Sequence, residues 1–345
     1  MRICLLTDAW TPQINGVVTT LTTLVQKLEE SGHDVDVINP SMFWCFPLPT
    51  YSEIKVPWNL ISVYRKVAKA IDVADHVHIA TEGPIGLVAR LYCHRHDIPY
   101  NTSYHTKFPE YINTRFPAIS IDLGYKFMRW MHNRANKVLV TTETMVGELD
   151  SWGIKNQIVW SRGVDTDAFQ IKSEYKPKDL TIGYVGRLSV EKNIEEFLEL
   201  PDYLGKKIVV GDGPEYDRLK EQYPDVEFLG YKTGDELVNA YNSMHVMVFP
   251  SKTDTFGLVN IEAMACGVPV AAFPVTGPQD IIKNGVNGFM SSNLEEAAYY
   301  CFTIEREKCR IHVVDNFSWN TSVQVFLDLI GTNNETAKPT TGEHK

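Results

Sequence analysis

The chain has 345 residues, of which 44% are hydrophobic and 22% charged, the composition of a soluble globular protein long enough for two domains. Its net charge of -10 is uneven: residues 1–165 hold 16 basic and 16 acidic residues, leaving 17 of the 33 basic and 27 of the 43 acidic residues for the remainder. This acidic second half is poorly suited to general contact with DNA or with an anionic membrane.

The N-terminus has the pattern of a first strand, and no apolar run reaches the roughly 18 residues needed to cross a bilayer. A run of four apolar residues is too short for a signal peptide, so we expect a cytoplasmic protein. The six cysteines show no short zinc or redox spacing and are expected to be free.

Short apolar strands alternate with helices along the first half of the chain. The first helix is predicted over residues 17–31, where Val18, Leu21, Leu24, Val25 and Leu28 recur every three or four positions. Strands are predicted at residues 3–7, 35–39, 76–79, 100–103 and 137–141. Strands interleaved with helices predict a parallel sheet that is covered on both faces.

The same alternation begins again near residue 180, after a polar segment (164–179) that is typical of a linker. Strands are predicted at 180–185, 207–210, 226–228, 246–249 and 268–272. Helices are predicted at 193–200, 215–222 and 234–242, and another opens at 262–265. The sequence therefore predicts two doubly wound α/β domains facing each other, with ligands in the cleft beyond the carboxyl ends of the strands.

The segment 12–17 between the first strand and the first helix contains Asn15 and Gly16. A glycine here lets backbone N–H groups approach an anion at the helix N-terminus. The alternative is a purely structural turn. The segment is not the G-x-G-x-x-G fingerprint of nicotinamide dinucleotide sites.

Two cations, Arg187 and Lys192, follow a strand that ends at Val185 and a glycine, Gly186, that opens the next turn. Arginine grips a phosphate through two hydrogen bonds and lysine supplies a point charge beside it, so the pair could neutralise a diphosphate. The alternative is a solvated charged loop.

Two carboxylates, Asp254 and Glu262, lie eight positions apart around a glycine-containing turn and a helix start. The N–H groups of residues 256–259 are unused at that helix N-terminus, and the carboxylates can accept hydrogen bonds from sugar hydroxyl groups. Glu262 lies among apolar residues and therefore needs a partner. The alternative is a capping aspartate followed by an ordinary helix glutamate.

The run F-P-S-x-x-D-T-F-G-L-V-x-x-E-A-M-A-C-G-V-P-V at residues 249–270 closely resembles the E-x7-E signature of retaining GT-B glycosyltransferases of the family-4 type. Further motifs of that family match in chain order over nearly the whole chain. They lie at residues 7–17, 104–106, 162–165, 185–193, 210–214, 228–231 and 317–319.

This resemblance implies a nucleotide-diphosphate sugar as co-substrate. Arg187, Lys192 and the backbone N–H of Gly16 would hold its diphosphate, Glu262 would bind the ribose, and the base would rest near Tyr231. The cationic residues would take the place of a divalent metal, so we expect no metal and no other cofactor. The D-x-D pairs at 34–36 and 165–167 do not lie where the diphosphate should be.

The resemblance also assigns the transferred sugar to Asp254 and the segment that follows it. That segment comprises Thr255, Phe256, Gly257, Leu258 and Val259. His105 would reach the sugar from the first domain, and Asp8, Asn15 and His105 would lie on the acceptor side. His105, Asp254, Arg187 and Lys192 form the implied catalytic set. Asp254 is one methylene shorter than the family's glutamate, so the motif does not define the sugar.

The segment 123–137 carries four cations and no acid, with Phe127, Trp130 and Met131 among them. This composition is typical of a helix at an anionic membrane surface, and basic residues at 65, 66 and 69 could widen the patch. The alternative is a core helix with a solvated charged face. A nucleic acid partner is disfavoured by the overall acidity.

Together these observations predict a cytoplasmic retaining glycosyltransferase, peripheral on the inner face of the membrane if segment 123–137 contacts lipid. It would move a hexose-type sugar from a UDP or GDP donor to a lipid or glycan. A GT-B-type sugar-nucleotide epimerase and a transferase acting on modified nucleic acid stay open as alternatives. We predict an acceptor-side domain at 1–165, a donor domain at 166–317, a returning helix at about 318–332 and a disordered tail at 333–345.

Overall fold

The computed structural model describes residues 1–13, 15–48, 51–173 and 178–336. Within this part of the chain, two six-stranded parallel sheets form two α/β units. Among the described residues, no helix has both the length and the hydropathy that crossing a membrane requires.

The first sheet has the strand order β2-β1-β5-β6-β7-β8, and every pair in it is parallel. An antiparallel hairpin, β3–β4, lies outside it. The elements of this unit are β1 (Arg2–Leu6), α1 (Gly16–Glu30), β2 (Asp34–Ile38), β3 (Cys45–Leu48), β4 (Tyr51–Pro57), α2 (Leu60–Ile71), β5 (His76–Ile79), α3 (Pro84–Arg95), β6 (Asn101–Ser103), α4 (Phe108–Arg115), α5 (Ile121–His132), β7 (Val138–Val140), α6 (Glu143–Ser151) and β8 (Gln157–Val159).

The second sheet has the order β11-β10-β9-β12-β13-β14 and is also parallel. Its elements are β9 (Thr181–Val185), α7 (Glu195–Leu198), β10 (Lys206–Val210), α8 (Tyr216–Gln222), β11 (Glu227–Gly230), α9 (Gly234–Asn242), β12 (Val246–Phe249), α10 (Leu258–Ala265), β13 (Val270–Ala272), α11 (Pro278–Ile281), β14 (Gly288–Met290), α12 (Leu294–Cys301) and α13 (Arg306–Asn316). A last helix, α14 (Trp319–Thr336), follows. The predicted fold of two facing parallel-sheet domains is confirmed.

Successive residues of β1 are buried on opposite faces of the first sheet. Cys4 and Leu6 belong to one apolar cluster, whereas Ile3 packs in a second cluster and Leu5 in a third. Alternate side chains of a strand point to opposite faces, so helices must cover both sides of this sheet. That arrangement leaves the carboxyl ends of the strands as the open edge where a ligand can bind.

Helix α14 returns to the first domain. Trp319, Val323, Phe326 and Ile330 are buried in the cluster that contains Ile3 of β1. Two crossings join the domains, and they pair with each other: Val164 bridges Ser318, and its N–H donates to Phe317 O at 3.0 Å. The domain boundaries at residues 165 and 317 stay predictions.

Three local predictions differ from the structure. The helix predicted from residue 193 is a 3₁₀ turn, Val190–Lys192, followed by α7, because Asn193 adopts a left-handed φ of 55° that interrupts a helix. Helix α10 begins at Leu258, four residues before the predicted start at 262, and directly follows Gly257, which has a left-handed φ of 86°. Helix α14 extends to Thr336, since a helix anchored by packing propagates cheaply, so residues 333–336 are helical. Residues 337–345 of the predicted tail lie outside the described residues.

Candidate active site

The two domains meet through loops that follow strands at the facing edges of their sheets. Thr141, after β7, donates its hydroxyl to Thr255 O at 2.6 Å, and Thr255 donates its own hydroxyl to His105 O at 2.7 Å. A second contact joins Thr144 of α6 to the Asp280 carboxylate. The predicted cleft therefore exists, and Thr255 of the predicted donor segment bridges its two sides.

The N-termini of two helices converge in this cleft. A Cβ added to Gly16, the first residue of α1, would lie 3.3 Å from Leu258 Cδ1, at the first residue of α10. Asn15 caps α1 by accepting from the N–H groups of Val17 and Val18 at 3.1 and 3.0 Å. Helix N-termini carry unused N–H groups and a partial positive charge, so the pair forms a favourable place for an anion.

Lys192 and Asp254 form an ion pair in the cleft, with Nζ 2.5 Å from Oδ1. The two side chains are only 22% and 15% exposed, and the second oxygen of Asp254 is buried without a hydrogen-bond partner. Burial by itself would lower the pKa of Lys192, but Asp254, Tyr111 and Tyr184 outweigh it and raise that pKa. Lys192 is therefore a charged, preorganised group.

The position of Lys192 depends on its neighbour in the chain. Asn193, in its left-handed conformation, donates its side-chain amide to Pro250 O at 3.1 Å. This bond ties the Val190–Lys192 turn to the loop after β12. Arg187 is half-buried in the same region, after the end of β9, and the hydroxyl of Tyr184 donates to its carbonyl at 2.8 Å.

Glu262 has the partner that its apolar surroundings required. The Tyr241 hydroxyl donates to Glu262 Oε2 at 2.7 Å. Burial raises the pKa of Glu262, and the Tyr241 bond opposes that shift. This carboxylate is thus held in one orientation on α10, about one turn after Leu258. Tyr231, the predicted neighbour of the base, is half-exposed after the end of β11.

The remaining residues of the predicted donor segment have unequal access to the cleft. Phe256 is buried, with its ring centroid 5.9 Å from that of Phe317, so only its backbone faces a ligand. Gly257 is required by its conformation and by space, because a Cβ there would lie 2.8 Å from the Phe249 ring. Leu258 and Val259 are half-buried at the start of α10.

His105 lies after β6 and is 8% exposed. Its Nδ1 lies 2.5 Å from Nη2 of Arg162, and its Nε2 is buried without a partner. Burial, then Arg162, His78 and His132, hold the pKa of His105 well below its usual range. The imidazole is therefore neutral and offers one ring nitrogen to a ligand.

Asp8 lies at the same edge, but its carboxylate caps α3. Its oxygens accept from the N–H groups of Ile85 and Gly86 at 2.9 and 3.3 Å and from the Thr81 hydroxyl at 3.0 Å. Burial raises its pKa to about 6, against the opposing effect of these bonds. The acceptor-side role of Asp8 and Asn15 stays a prediction, since both side chains serve as helix caps.

Asp8→Asn is expected to change how stability depends on pH. The folded pKa of about 6 lies above the ordinary value of 3.8, so the native state binds more protons and the wild type loses stability as pH rises between these values. The variant lacks this loss. The free energy of unfolding of both proteins, measured in urea from pH 4 to 7, gives the test. The difference between them should change in favour of the variant up to about pH 6 and then stay constant. Parallel curves would contradict the assignment.

Three residues that adjoin the site were not among its predicted members. Tyr111 of α4 reaches Lys192 and Asp254 from the first domain, and burial raises its pKa to about 12. Tyr184 and Arg162 likewise adjoin the site. Tyr111 has the pattern of an ordinary helix residue, so the sequence gives no sign of its place in the site. Arg162 and Tyr184 lie in or beside the matched motifs, and that position is a signal that they adjoin the site.

The predicted metal independence remains a prediction. Among the described residues, no group of three or more histidine, cysteine, aspartate or glutamate side chains is arranged to hold a metal ion.

Two surfaces of the first domain bear on the predicted membrane contact. In segment 123–137, Tyr125, Met128 and Met131 of α5 are buried, and the Arg90 guanidinium covers the Trp130 ring at 3.7 Å. Most of the apolar residues of this helix therefore pack in the core of the first domain. Leu123 is its most exposed apolar residue.

A second, more apolar surface lies on the hairpin and the start of α2, and we call it the hairpin surface. Trp44 is 86% exposed, Trp58 67% and Ile61 68%, and the Trp58 N–H donates to Trp44 O at 3.3 Å. Exposed basic residues continue along α2, at Arg65, Lys66 and Lys69. The hairpin follows β2, whose carboxyl end belongs to the cleft edge of the sheet.

Comparisons with known proteins agree with this geometry. Residues 14–168 match the family model described as Glycosyltransferase Family 4, and residues 165–299 match the one described as Glycosyl transferases group 1. A GDP-mannose-dependent alpha-mannosyltransferase of Corynebacterium glutamicum is 27% identical, over 84% of this chain and 76% of that protein. An alpha-monoglucosyldiacylglycerol synthase of Streptococcus pneumoniae is 27% identical, over 79% of this chain and 71% of that protein.

Among solved structures, sucrose-phosphate synthase of Thermosynechococcus elongatus matches with a TM-score of 0.80 and 19% identity, over 97% of this chain and 100% of that chain. At that identity the likeness concerns the fold. The two family models overlap at residues 165–168 and together span residues 14–299, which contain every strand of both sheets except β1. The chain is therefore a glycosyltransferase of the family-4 type with the GT-B fold.

Proposed function

We propose that this enzyme transfers a hexose from a UDP- or GDP-linked sugar to a hydroxyl group of a lipid or glycan, with retention of the anomeric configuration. The observation that supports this most is the convergence of the α1 and α10 N-termini beside the buried ammonium of Lys192. Each helix N-terminus carries about half a positive charge, so the two termini and the Lys192 ammonium together favour binding of a diphosphate.

In this proposal the protein stabilises the leaving group. The N–H groups at the starts of α1 and α10 bind the diphosphate, and Lys192 and Arg187 neutralise the negative charge that builds up as the glycosidic bond breaks. Groups fixed before the reaction need no reorganisation during it, which is the largest source of catalysis in such sites. Glu262 accepts from the ribose, and no carboxylate acts as a covalent nucleophile.

Lys192 cannot serve the diphosphate in isolation, because Asp254 already holds it at 2.5 Å. We propose that donor binding converts this pair into a three-part arrangement: phosphate oxygens share the ammonium, while Asp254 accepts from a sugar hydroxyl through its unpartnered oxygen. In this arrangement the ion pair contacts the leaving diphosphate through Lys192 and the sugar through Asp254. Removing one member of such a buried ion pair strongly destabilises the protein, because the other charge is left unpaired.

Titration calorimetry with UDP and GDP tests the donor site. Arg187→Ala is expected to weaken binding of the preferred nucleotide by about 10- to 100-fold, the loss of one charge-assisted contact. Arg218→Ala is the matched control, because Arg218 lies on α8 of the same domain and pairs only at the surface with Glu195 and Glu215. A wild type that binds neither nucleotide, or an Arg187 variant that binds as well as the wild type, contradicts the proposal.

The lipid acceptor is supported by the hairpin surface. Exposed tryptophan and isoleucine side chains, followed by basic residues along α2, suit the boundary between acyl chains and anionic headgroups. The relative from Streptococcus pneumoniae is named as a synthase of a glucosyldiacylglycerol. We therefore propose that membrane contact occurs through the hairpin surface more than through segment 123–137.

Co-sedimentation with vesicles separates the two surfaces. Trp44→Ser combined with Ile61→Ser is expected to lower the partition coefficient on phosphatidylglycerol-containing vesicles about tenfold or more, given the apolar area lost. Leu123→Ser is the matched control on the other surface and should bind as the wild type does. Equal losses in both variants would favour segment 123–137, and a wild type that fails to bind at low salt would reject membrane contact.

A further inference from the structure

Arg162 is a buried cation with an unusual set of partners. It is 4% exposed and, among the described residues, no carboxylate forms an ion pair with it. Its Nη1 donates to Trp160 O at 3.3 Å, its Nη2 lies 2.5 Å from His105 Nδ1, and its guanidinium lies 4.4 Å from the centre of the Trp160 ring. Burial lowers its pKa to about 9, so it stays charged at neutral pH. An isolated buried charge is costly, and a group kept in this state needs an explanation.

The contact between Arg162 and His105 has one chemical interpretation. A guanidinium has five N–H donors and no acceptor, so Nδ1 of His105 must accept. In a neutral imidazole the other nitrogen then carries the proton. Nε2 of His105 is that nitrogen, and it is a buried donor without an acceptor.

The rest of the cluster holds this geometry in place. The Trp160 indole donates to Ser322 O at 3.0 Å, and the Ser322 hydroxyl donates to Ser161 O at 2.7 Å. Helix α14 thus fixes the segment that carries Arg162. On the other side, the carbonyl of His105 accepts from the Thr255 hydroxyl of the donor domain.

We propose that Arg162 is a positioning residue that fixes the protonated nitrogen of His105 as Nε2, so that Nε2–H donates to an oxygen of the transferred sugar. The inference rests on the proposed function for the identity of that oxygen. The positive charge of Arg162 also polarises the ring, which strengthens the Nε2–H donor, and it opposes protonation of Nδ1. The groups that face the ring are Arg162, His78, His132 and Trp160.

The tautomer is measurable without any activity. In protein labelled with ¹⁵N-histidine, the His105 signals, assigned by their loss in His105→Gln, should show a protonated Nε2 and an unprotonated Nδ1. In Arg162→Met the signals should shift toward a mixture of tautomers, and the pKa of His105 should rise but stay below its ordinary value, because the ring remains buried. A protonated Nδ1 in the wild type, or spectra that do not differ between wild type and variant, overturns the inference.

Kinetics then test whether the tautomer matters. Arg162→Met is expected to lower kcat by about 10- to 100-fold, the value of one charge-assisted hydrogen bond. Arg162→Gln should recover part of kcat, because its amide donates to Nδ1 without the charge. In a His105→Ala background, Arg162→Met should add little, whereas an undiminished further loss would assign Arg162 a role independent of His105.

A structural control completes the test. Arg310 of α13 also donates its guanidinium to three carbonyls near the linker, those of Thr166, Ala265 and Phe169. Arg310→Met should lower Tm without changing the tautomer of His105. UDP and GDP binding by the wild type reports on the proposed donor site separately, so a failure there leaves the NMR experiment on His105 as an independent test of the role of Arg162.

Discussion

Lys192→Met is expected to lower kcat by about 10²- to 10³-fold, the loss typical of removing one preorganised electrostatic stabiliser from a transition state. The methionine keeps the length of the side chain but leaves Asp254 buried without the cation that now lies 2.5 Å away. The variant should therefore also bind the nucleotide more weakly and unfold at a lower temperature. Steady-state assays with mass detection of the transferred sugar give kcat, and calorimetry gives affinity and Tm.

Two further variants separate catalysis from the ion pair. Lys252→Met removes an exposed lysine of the same loop region, which pairs with Glu196 at 3.1 Å, and should keep wild-type kcat. Asp254→Asn leaves Lys192 charged and should retain nucleotide affinity while losing sugar transfer. If Lys192→Met and Asp254→Asn lose affinity and kcat in equal proportion, the pair serves structure alone.

Gly16→Val is expected to reduce kcat/KM for the donor by about 100-fold, the effect of a roughly 1 Å misplacement of binding groups. A Cβ added at this position would lie only 3.3 Å from Leu258 Cδ1, and the two methyl groups of valine would extend into the space between the helix N-termini. The variant therefore keeps the two helices apart and fills part of the anion site. The same assays, at saturating acceptor, measure the loss.

The steric origin of this effect can be checked on the opposite side of the cleft. Leu258→Ala in the Gly16→Val background should restore part of kcat/KM, because it removes the side chain that the valine meets. Thr19→Val places a valine on the exposed face of the same helix and should be neutral. A neutral Gly16→Val would show that the diphosphate is not bound at these helix N-termini.

Much of the architecture could be predicted because it depends on local patterns. Helix α9 and the strands β5 and β12 have the predicted bounds, and α1 and most other strands differ by one or two residues. Alternating apolar strands and amphipathic helices carry these signals in the sequence itself. Glu262 was expected to need a partner for the same reason, since its apolar neighbours are adjacent in the chain.

The contacts that give the site its chemistry are not local. Lys192 and Asp254 are 62 positions apart, and Arg162 and His105 are 57 apart. Motif spacing indicated that three of these four residues belong to the site, but not which atoms meet. The hairpin surface was missed for another reason, because only folding shows that Trp44 and Trp58 remain uncovered.

The paired crossings at Val164 and Ser318 also constrain how the domains can move. Because both connections between the domains lie side by side, we expect relative domain motion to occur mainly as rotation about this point, which would move the facing helix N-termini together or apart. A single proteolytic cut in the first crossing would leave the domains joined by the second. Truncation before α14 would do more than shorten the chain, because it would remove half of the hinge and the support beneath Arg162.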